Sequence, residues 1–196
     1  MPNQISKDSS KSALLIIDMQ VGLFDAPQPP YQRERLLSNI NQLIAAARLA
    51  QAPILEAMHT GPQHSAIPAG SPLWQPVPGL DLDLQQDQLF NKTRPSCFEG
   101  TSLAQQLAEQ AIDRLIICGM KTQFCIDTTC RSASERGLAV VLAADAHSCP
   151  DGELLSAGQI IQHHNQTLAG AFADVQPAAS IRFGTPSQPL QCGERA

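Results

Sequence analysis

Apolar residues follow two alternating rhythms along this chain. Ser12-Ala-Leu-Leu-Ile-Ile-Asp18 is a continuous apolar run closed by an acid, the pattern of a parallel strand buried on both faces. From Gln32 to Gln51 the rhythm changes: Leu36, Leu37, Ile40, Leu43, Ile44 and Ala47 recur at helical spacing, and Pro53 marks the boundary beyond. Pro53 to His59 reads as a second strand, and residues 60–86, rich in Pro and Gly, as a long loop of the kind that often carries function. Gln88 to Thr93 reads as a short strand, and Thr101 as the N-cap of a helix through Ala111. Arg114-Leu-Ile-Ile-Cys-Gly119 is the next buried strand. A helix from near Phe124 to Arg136 stops at Gly137, and a strand from Leu138 to Ala144 ends at Asp145. Residues 153–173 carry a last helical pattern, and the tail from Pro177 is irregular.

Strands that alternate with helices predict an α/β domain with a parallel sheet. No repeat, low-complexity segment or linker divides the 196 residues, so a single domain is expected, with tails at 1–11 and 183–196.

Composition narrows the function classes. With 43% hydrophobic and 16% charged residues the chain can bury a sizeable core. Its net charge of -5 argues against nucleic-acid partners, whose binding rests on basic surfaces. No apolar run reaches the ~18 residues of a membrane span. The polar start MPNQISKDSSKS does not read as a secretory signal, so no membrane association and a cytoplasmic location are expected. The six cysteines, at 97, 118, 125, 130, 149 and 192, form no CxxC pair and are expected as reduced thiols.

Ligands of open parallel sheets bind at the carboxyl ends of strands. Asp18, His59, Lys92, the Gly119–Cys125 segment and Asp145 are the polar candidates there. Gly119-Met-Lys-Thr-Gln-Phe-Cys125 joins an apolar strand to a helix and sets Cys125 in the helix's first turn. Unpaired N–H groups and the helix dipole favour a nucleophilic thiolate at such a place. Neither GxGxxG, GxxxxGK[ST] nor GxSxG occurs, which leaves dinucleotide, P-loop and serine-hydrolase sites unsupported. His147 is a candidate only by its closeness to a strand end, and His163 and His164 sit on the last predicted helix.

Three segments together resemble the isochorismatase-like cysteine hydrolases: Leu14-Leu-Ile-Ile-Asp-Met-Gln20, Asn91-Lys-Thr-Arg-Pro-Ser-Cys-Phe-Glu-Gly-Thr101, and Gly119-Met-Lys-Thr-Gln-Phe-Cys-Ile-Asp-Thr-Thr129. The likeness runs from about residue 12 to 182. It implies a Rossmann-like three-layer α/β/α sandwich with a mostly parallel sheet and a small-molecule substrate. It also implies a catalytic set of Asp18, Lys92 and Cys125 in which Cys125 attacks an amide carbonyl carbon. Asp18 would take the thiol proton and return it to the leaving nitrogen, while Lys92 holds both groups in their charged forms. The backbone N–H groups of Lys121 and Cys125 would form the oxyanion hole, with a cis peptide between Met120 and Lys121. A dimer or tetramer is implied as well.

The match has limits. True isochorismatases cleave a vinyl ether without a cysteine nucleophile, so Cys125 points to the amidase side of the family: a small amide, ureide or carbamoyl compound. Similar nicotinamidases hold zinc through an Asp-x-His pair after the second strand. Here that region reads Glu56-Ala-Met-His59, with His64 further on, so no metal and no organic cofactor are expected. Phe24, His59, Trp74 and Phe124 are candidate pocket residues. Two alternatives are a zinc-assisted nicotinamidase-like amidase and a non-catalytic binding or thiol redox-sensing protein on the same fold.

Overall fold

The computed structural model describes residues 10–65 and 67–184. Six parallel strands form one sheet in the order β3-β2-β1-β4-β5-β6. They are β1 Ser12–Ile17, β2 Ile54–His59, β3 Gln88–Lys92, β4 Arg114–Met120, β5 Ala139–Ser148 and β6 Asp174–Gln176. The helices are α1 Val21–Phe24, α2 Arg33–Leu49, α3 Leu103–Glu109, α4 Asp127–Glu135 and α5 Ala157–Leu168.

The continuous apolar runs of β1 and β4 are explained by two filled faces. Leu14 and Ile16 of β1, with Ile116 and Cys118 of β4, pack under Leu36, Ile40, Leu43, Ile44 and Ala47 of α2. Leu15, Ile17, Leu115 and Ile117 face the other way, onto Leu103 and Leu107 of α3, Cys130 and Ala133 of α4 and Leu168 of α5. Each large aliphatic side chain so buried contributes roughly 1.5–3 kcal/mol. The result is three layers, helix–sheet–helix. Among the described residues no helix is long and apolar enough to cross a membrane.

The sheet grows from β1 toward β3 on one side and from β4 toward β6 on the other. The carboxyl ends of β1 and β4 therefore flank the topological switch point, where such folds bind ligands. The two strands come so close that a Cβ on Gly119 would run into the Ile17 carbonyl oxygen. Gly119 also has φ +115°, which only glycine adopts without strain.

Several boundaries differ from the pattern-based reading. Strand β5 continues past Ala144 and Asp145 to Ser148. Asp145 is therefore not a strand-end group: its carboxylate accepts from Ala178 N at 2.8 Å and pairs with Arg35 at 3.5 Å. Helix α3 starts at Leu103, and the Thr101 hydroxyl caps it only through a 3.3 Å bond from Leu103 N. The last helix is Ala157–Leu168, opened by a capping box of Ser156 and Gln159. The short elements α1 and β6 were not anticipated, since three or four residues carry no readable period. Cys192 lies outside the described residues, among which Cys97, Cys118, Cys125, Cys130 and Cys149 are free thiols.

Candidate active site

Asp18 follows the last residue of β1 in a left-handed conformation, φ 54°. Its N–H remains tied to Ala57 O of β2 at 2.8 Å. That turn leaves the carboxylate at the switch point, 2% exposed. Lys92 ends β3, two strands away, and its register partner on β2 is His59. Only a long side chain spans that gap, and Lys92 does so while 1% exposed. Its Nζ donates to Asp18 Oδ2 at 3.0 Å, to Cys125 Sγ at 3.2 Å and to Arg94 O at 3.3 Å, and lies 3.4 Å from His59 Nδ1. Cys125 comes from the opposite side, on a π-helical turn over Thr122–Ile126 that follows β4 and leads into α4. The Met120–Lys121 peptide bond before it is cis.

Burial governs the protonation states of this cluster. It raises the Asp18 carboxyl above its ordinary value, an effect Lys92 offsets only in part. Burial pulls Lys92 down, but Asp18 and its neighbours more than compensate, and the ammonium is held above its usual value. The Cys125 thiol is pushed up to about 12 by burial and by the Asp18 carboxylate, against the pull of Lys92. Burial thus works against the thiolate expected from a helix start, while the Lys92 ammonium works for it. Burial, and after it the Lys92 ammonium, lower the pKa of His59, whose Nδ1 lies beside that ammonium.

The remaining candidates separate. Gln20, fully buried, donates to His59 O at 3.1 Å and Trp74 O at 2.9 Å and accepts from His59 N at 2.8 Å. This clamp ties the 60–86 loop to the end of β2. Its signal was the polar residue two places after Asp18, which sequence reasoning passed over. Trp74 is half-buried, its Nε1 donating to Thr60 at 3.0 Å. Phe124 is 54% exposed beside Cys125. Phe24 belongs instead to the apolar cluster under α2. Lys121 presents its backbone at the start of the Cys125 turn.

Asp18, His59 and Cys125 each place one ligand atom within 4.8 Å of the others, a donor set that suits a soft divalent ion. Lys92 Nζ contacts all three groups, so an ammonium already fills the place such an ion would take, and like charge opposes a second cation. The residues do not fit a resident metal. Glu56, three residues before His59 on one strand, necessarily faces the other side of the sheet. It is fully buried there, and His64 is exposed on the loop.

The arrangement sets a thiol, a carboxyl group and an ammonium side by side at the carboxyl ends of the strands of a parallel α/β sheet. The isochorismatase domain model matches residues 12–176, and the chain belongs to the isochorismatase family. A streptothricin hydrolase of Streptomyces noursei is 29% identical over 142 residues, 71% of this chain and 50% of its own length. The chain thus spans about half of that relative. An isochorismatase family protein of known structure is 37% identical, covers 84% of this chain and 97% of its own, and superposes with a TM-score of 0.79. An isochorismatase from Pseudomonas putida KT2440 is 30% identical, with 90% and 94% covered and a TM-score of 0.82.

Proposed function

We propose that the protein is a cysteine hydrolase that cleaves a C–N bond of a small amide, ureide or carbamoyl compound through a thioester on Cys125. The observation that carries this reading is the buried ammonium of Lys92, within hydrogen-bond distance of both Asp18 Oδ2 and Cys125 Sγ. A base whose pKa burial has raised stands beside a thiol, and a cation touches both.

Asp18 takes the thiol proton as Sγ attacks the carbonyl carbon, and Lys92 balances the charge that passes from carboxylate to sulfur. The oxygen of the tetrahedral intermediate is met by the backbone N–H groups of Lys121 and Cys125, donors of the kind worth about 3 kcal/mol each in a transition state. The intermediate collapses as the C–N bond breaks, and Asp18 passes its proton to the leaving nitrogen. Water, deprotonated by Asp18, then attacks the thioester carbon. Acid is released and the thiol is restored. His59, Trp74 and Phe124 are the side chains proposed to meet the substrate. A homodimer or homotetramer in the cytoplasm completes the reading.

A panel of small amides, ureides and carbamoyl amino acids, assayed for ammonia release with the full chain, tests it. Turnover by the wild type and none by Cys125→Ala is expected, and activity should survive prolonged chelation. An active Cys125→Ala would overturn the mechanism, and metal-dependent turnover would move the assignment to a zinc-assisted amidase.

A further inference from the structure

The turn that carries Cys125 is backed by a neutral hydrogen-bond chain that the chemistry above does not use. Between Ile117 and Gly119 strand β4 advances two residues, while its partner β5 advances five, from Leu142 to His147. The three extra residues form a bulge, and bulges next to sites commonly re-aim a side chain. Three of its polar groups are engaged from other elements. Asn39 of α2 donates to Asp145 O at 2.7 Å, Asn165 of α5 donates to Ala144 O at 3.0 Å, and Asp145 Oδ1 accepts from Ala178 N at 2.8 Å.

The bulge delivers His147 to the back of the turn, 2% exposed. Its Nε2 lies 2.8 Å from Asn165 Oδ1, and its Nδ1 lies 3.0 Å from the hydroxyl of Thr122, the first residue of the Cys125 turn. These contacts fix the proton. Because Asn165 spends its amide N–H on Ala144 O, its oxygen faces the ring and can only accept. Nε2 therefore carries hydrogen, and in a neutral ring Nδ1 is left to accept from Thr122. Thr122 itself is fully buried, so a lost acceptor has no water to replace it.

We infer that His147 is a positioning residue: as the neutral Nε2–H tautomer it anchors the Thr122 hydroxyl and thereby sets where the turn presents Cys125 to Lys92 and Asp18. The inference rests on the reading of Cys125 as nucleophile. Burial, which pulls His147 down to about 4, is in keeping with a ring that stays neutral at working pH. The titratable and charged groups facing the cluster are His164 on α5, Asp145 in the bulge of β5, Cys149 and Asp151 just after β5, Arg35 on α2 and Lys121 before the turn.

The test uses iodoacetamide as the probe and needs no substrate. Alkylation of Cys125 in the full chain is followed by peptide mass spectrometry from pH 5.5 to 9, and nitrogen-15 NMR reads the imidazole. Wild type should show the neutral Nε2–H form throughout. His147→Gln, which keeps one acceptor and one donor, should alkylate near the wild-type rate, while His147→Phe should slow about tenfold or more as the turn shifts. Asn165→Asp provides a reading that a merely structural role would not move. A carboxylate on Nε2–H favours the imidazolium, Nδ1 becomes a donor, and the Thr122 hydroxyl must turn from donating to accepting, which moves the anchor of the turn. The variant should then slow about tenfold only below a newly raised His147 pKa and recover above it. This step should persist when His164→Asn is added.

An Asn165→Asp profile parallel to wild type, a proton found on Nδ1, or a folded His147→Phe with wild-type alkylation would each overturn the inference. Should His147→Phe fail to fold, the Asn165→Asp profile decides alone. A chain that releases ammonia from nothing yet follows these profiles would sink the hydrolase reading while leaving the role of His147 standing.

Discussion

The two halves of the sheet approach the Cys125 turn with opposite chemistry. From the β1–β2–β3 side come Asp18 and Lys92, with His59 beside the same ammonium. From the β4–β5 side comes a chain of uncharged side chains, Thr122, His147 and Asn165, linked to one another by hydrogen bonds. Charges are costly to bury and move protons readily, so they fit where a proton must be transferred. A saturated neutral network moves no charge and fits where a backbone turn must be held. The comparison teaches that burial alone does not assign a role to a polar group. His147 and Asp18 are equally hidden, and what separates them is whether their partners are ions.

The largest effect that would sharpen this contrast comes from Lys92→Met. It removes the shared cation and leaves the Asp18 carboxylate buried without its partner. We expect ammonia release to fall about a thousandfold and stability to drop by about 3–5 kcal/mol in urea unfolding. The double variant Asp18→Asn with Lys92→Met should regain most of the stability and none of the activity. Recovered activity in the double variant would break the assignment of the charged half.

The neutral half is addressed by acid. His147 is held well below the unfolded histidine value, at about 4, by burial. Between those two values the unfolded chain takes a proton that the folded chain refuses. Its contribution is therefore complete above about pH 6.5 and is lost as pH falls toward 4, by roughly 1.4 kcal/mol per unit. Urea midpoints of wild type and His147→Gln, compared from pH 7.5 to 4, should diverge toward acid, with the variant less sensitive. Parallel curves would show that the ring is charged in the fold.

Glu56 is the control for both halves, a buried acid with neither an ion nor a saturated network. It lies between Ile16 and Leu89 in the sheet register, and among the described residues neither carboxylate oxygen has a hydrogen-bond partner. Burial, with Asp18 and Asp87 nearby, raises it well above the ordinary glutamate value. A raised acid stabilises the fold fully below its unfolded pKa and loses that contribution as pH rises through the folded one. Glu56→Gln should thus raise stability by on the order of 1 kcal/mol at pH 8 and leave it nearly unchanged at pH 4.5. A loss at pH 8 would place an unsuspected partner on this carboxylate.

What could be read from sequence follows the same division. Asp18, Lys92 and Cys125 were legible because each closes or follows an apolar run and each sits in a segment with a family likeness. The upward push on the Cys125 thiol was not, because the helix start was visible and the depth of burial was not. On the neutral side almost nothing was legible. The apolar run of β5 fades at Asp145, and a three-residue bulge leaves no period, so the pattern ends the strand early and marks His147 only by its closeness to that end. Asn39 and Asn165 sit on helices as polar residues of no special spacing, and only the packed layers reveal that they face the bulge.

The smallest effect expected is also the one that divides the two halves at their seam. Lys121 is the one ammonium within the Cys125 turn, and charge alone would make it a rival to Lys92. Its geometry argues otherwise. Lys92 is 1% exposed and makes three hydrogen bonds through Nζ, whereas Lys121 is partly exposed and its ammonium makes none among the described residues. What the proposed chemistry takes from Lys121 is its backbone N–H, which any residue but proline supplies. The backbone there, φ -93° and ψ 143°, is ordinary extended conformation that alanine adopts without strain. Lys121→Ala should therefore keep kcat within about twofold, because a half-exposed charge is screened by solvent, and leave Cys125 alkylation unchanged. A loss comparable to that of Lys92→Met would move the working cation from the charged half of the sheet to the turn itself, and the division drawn between the two halves would fail.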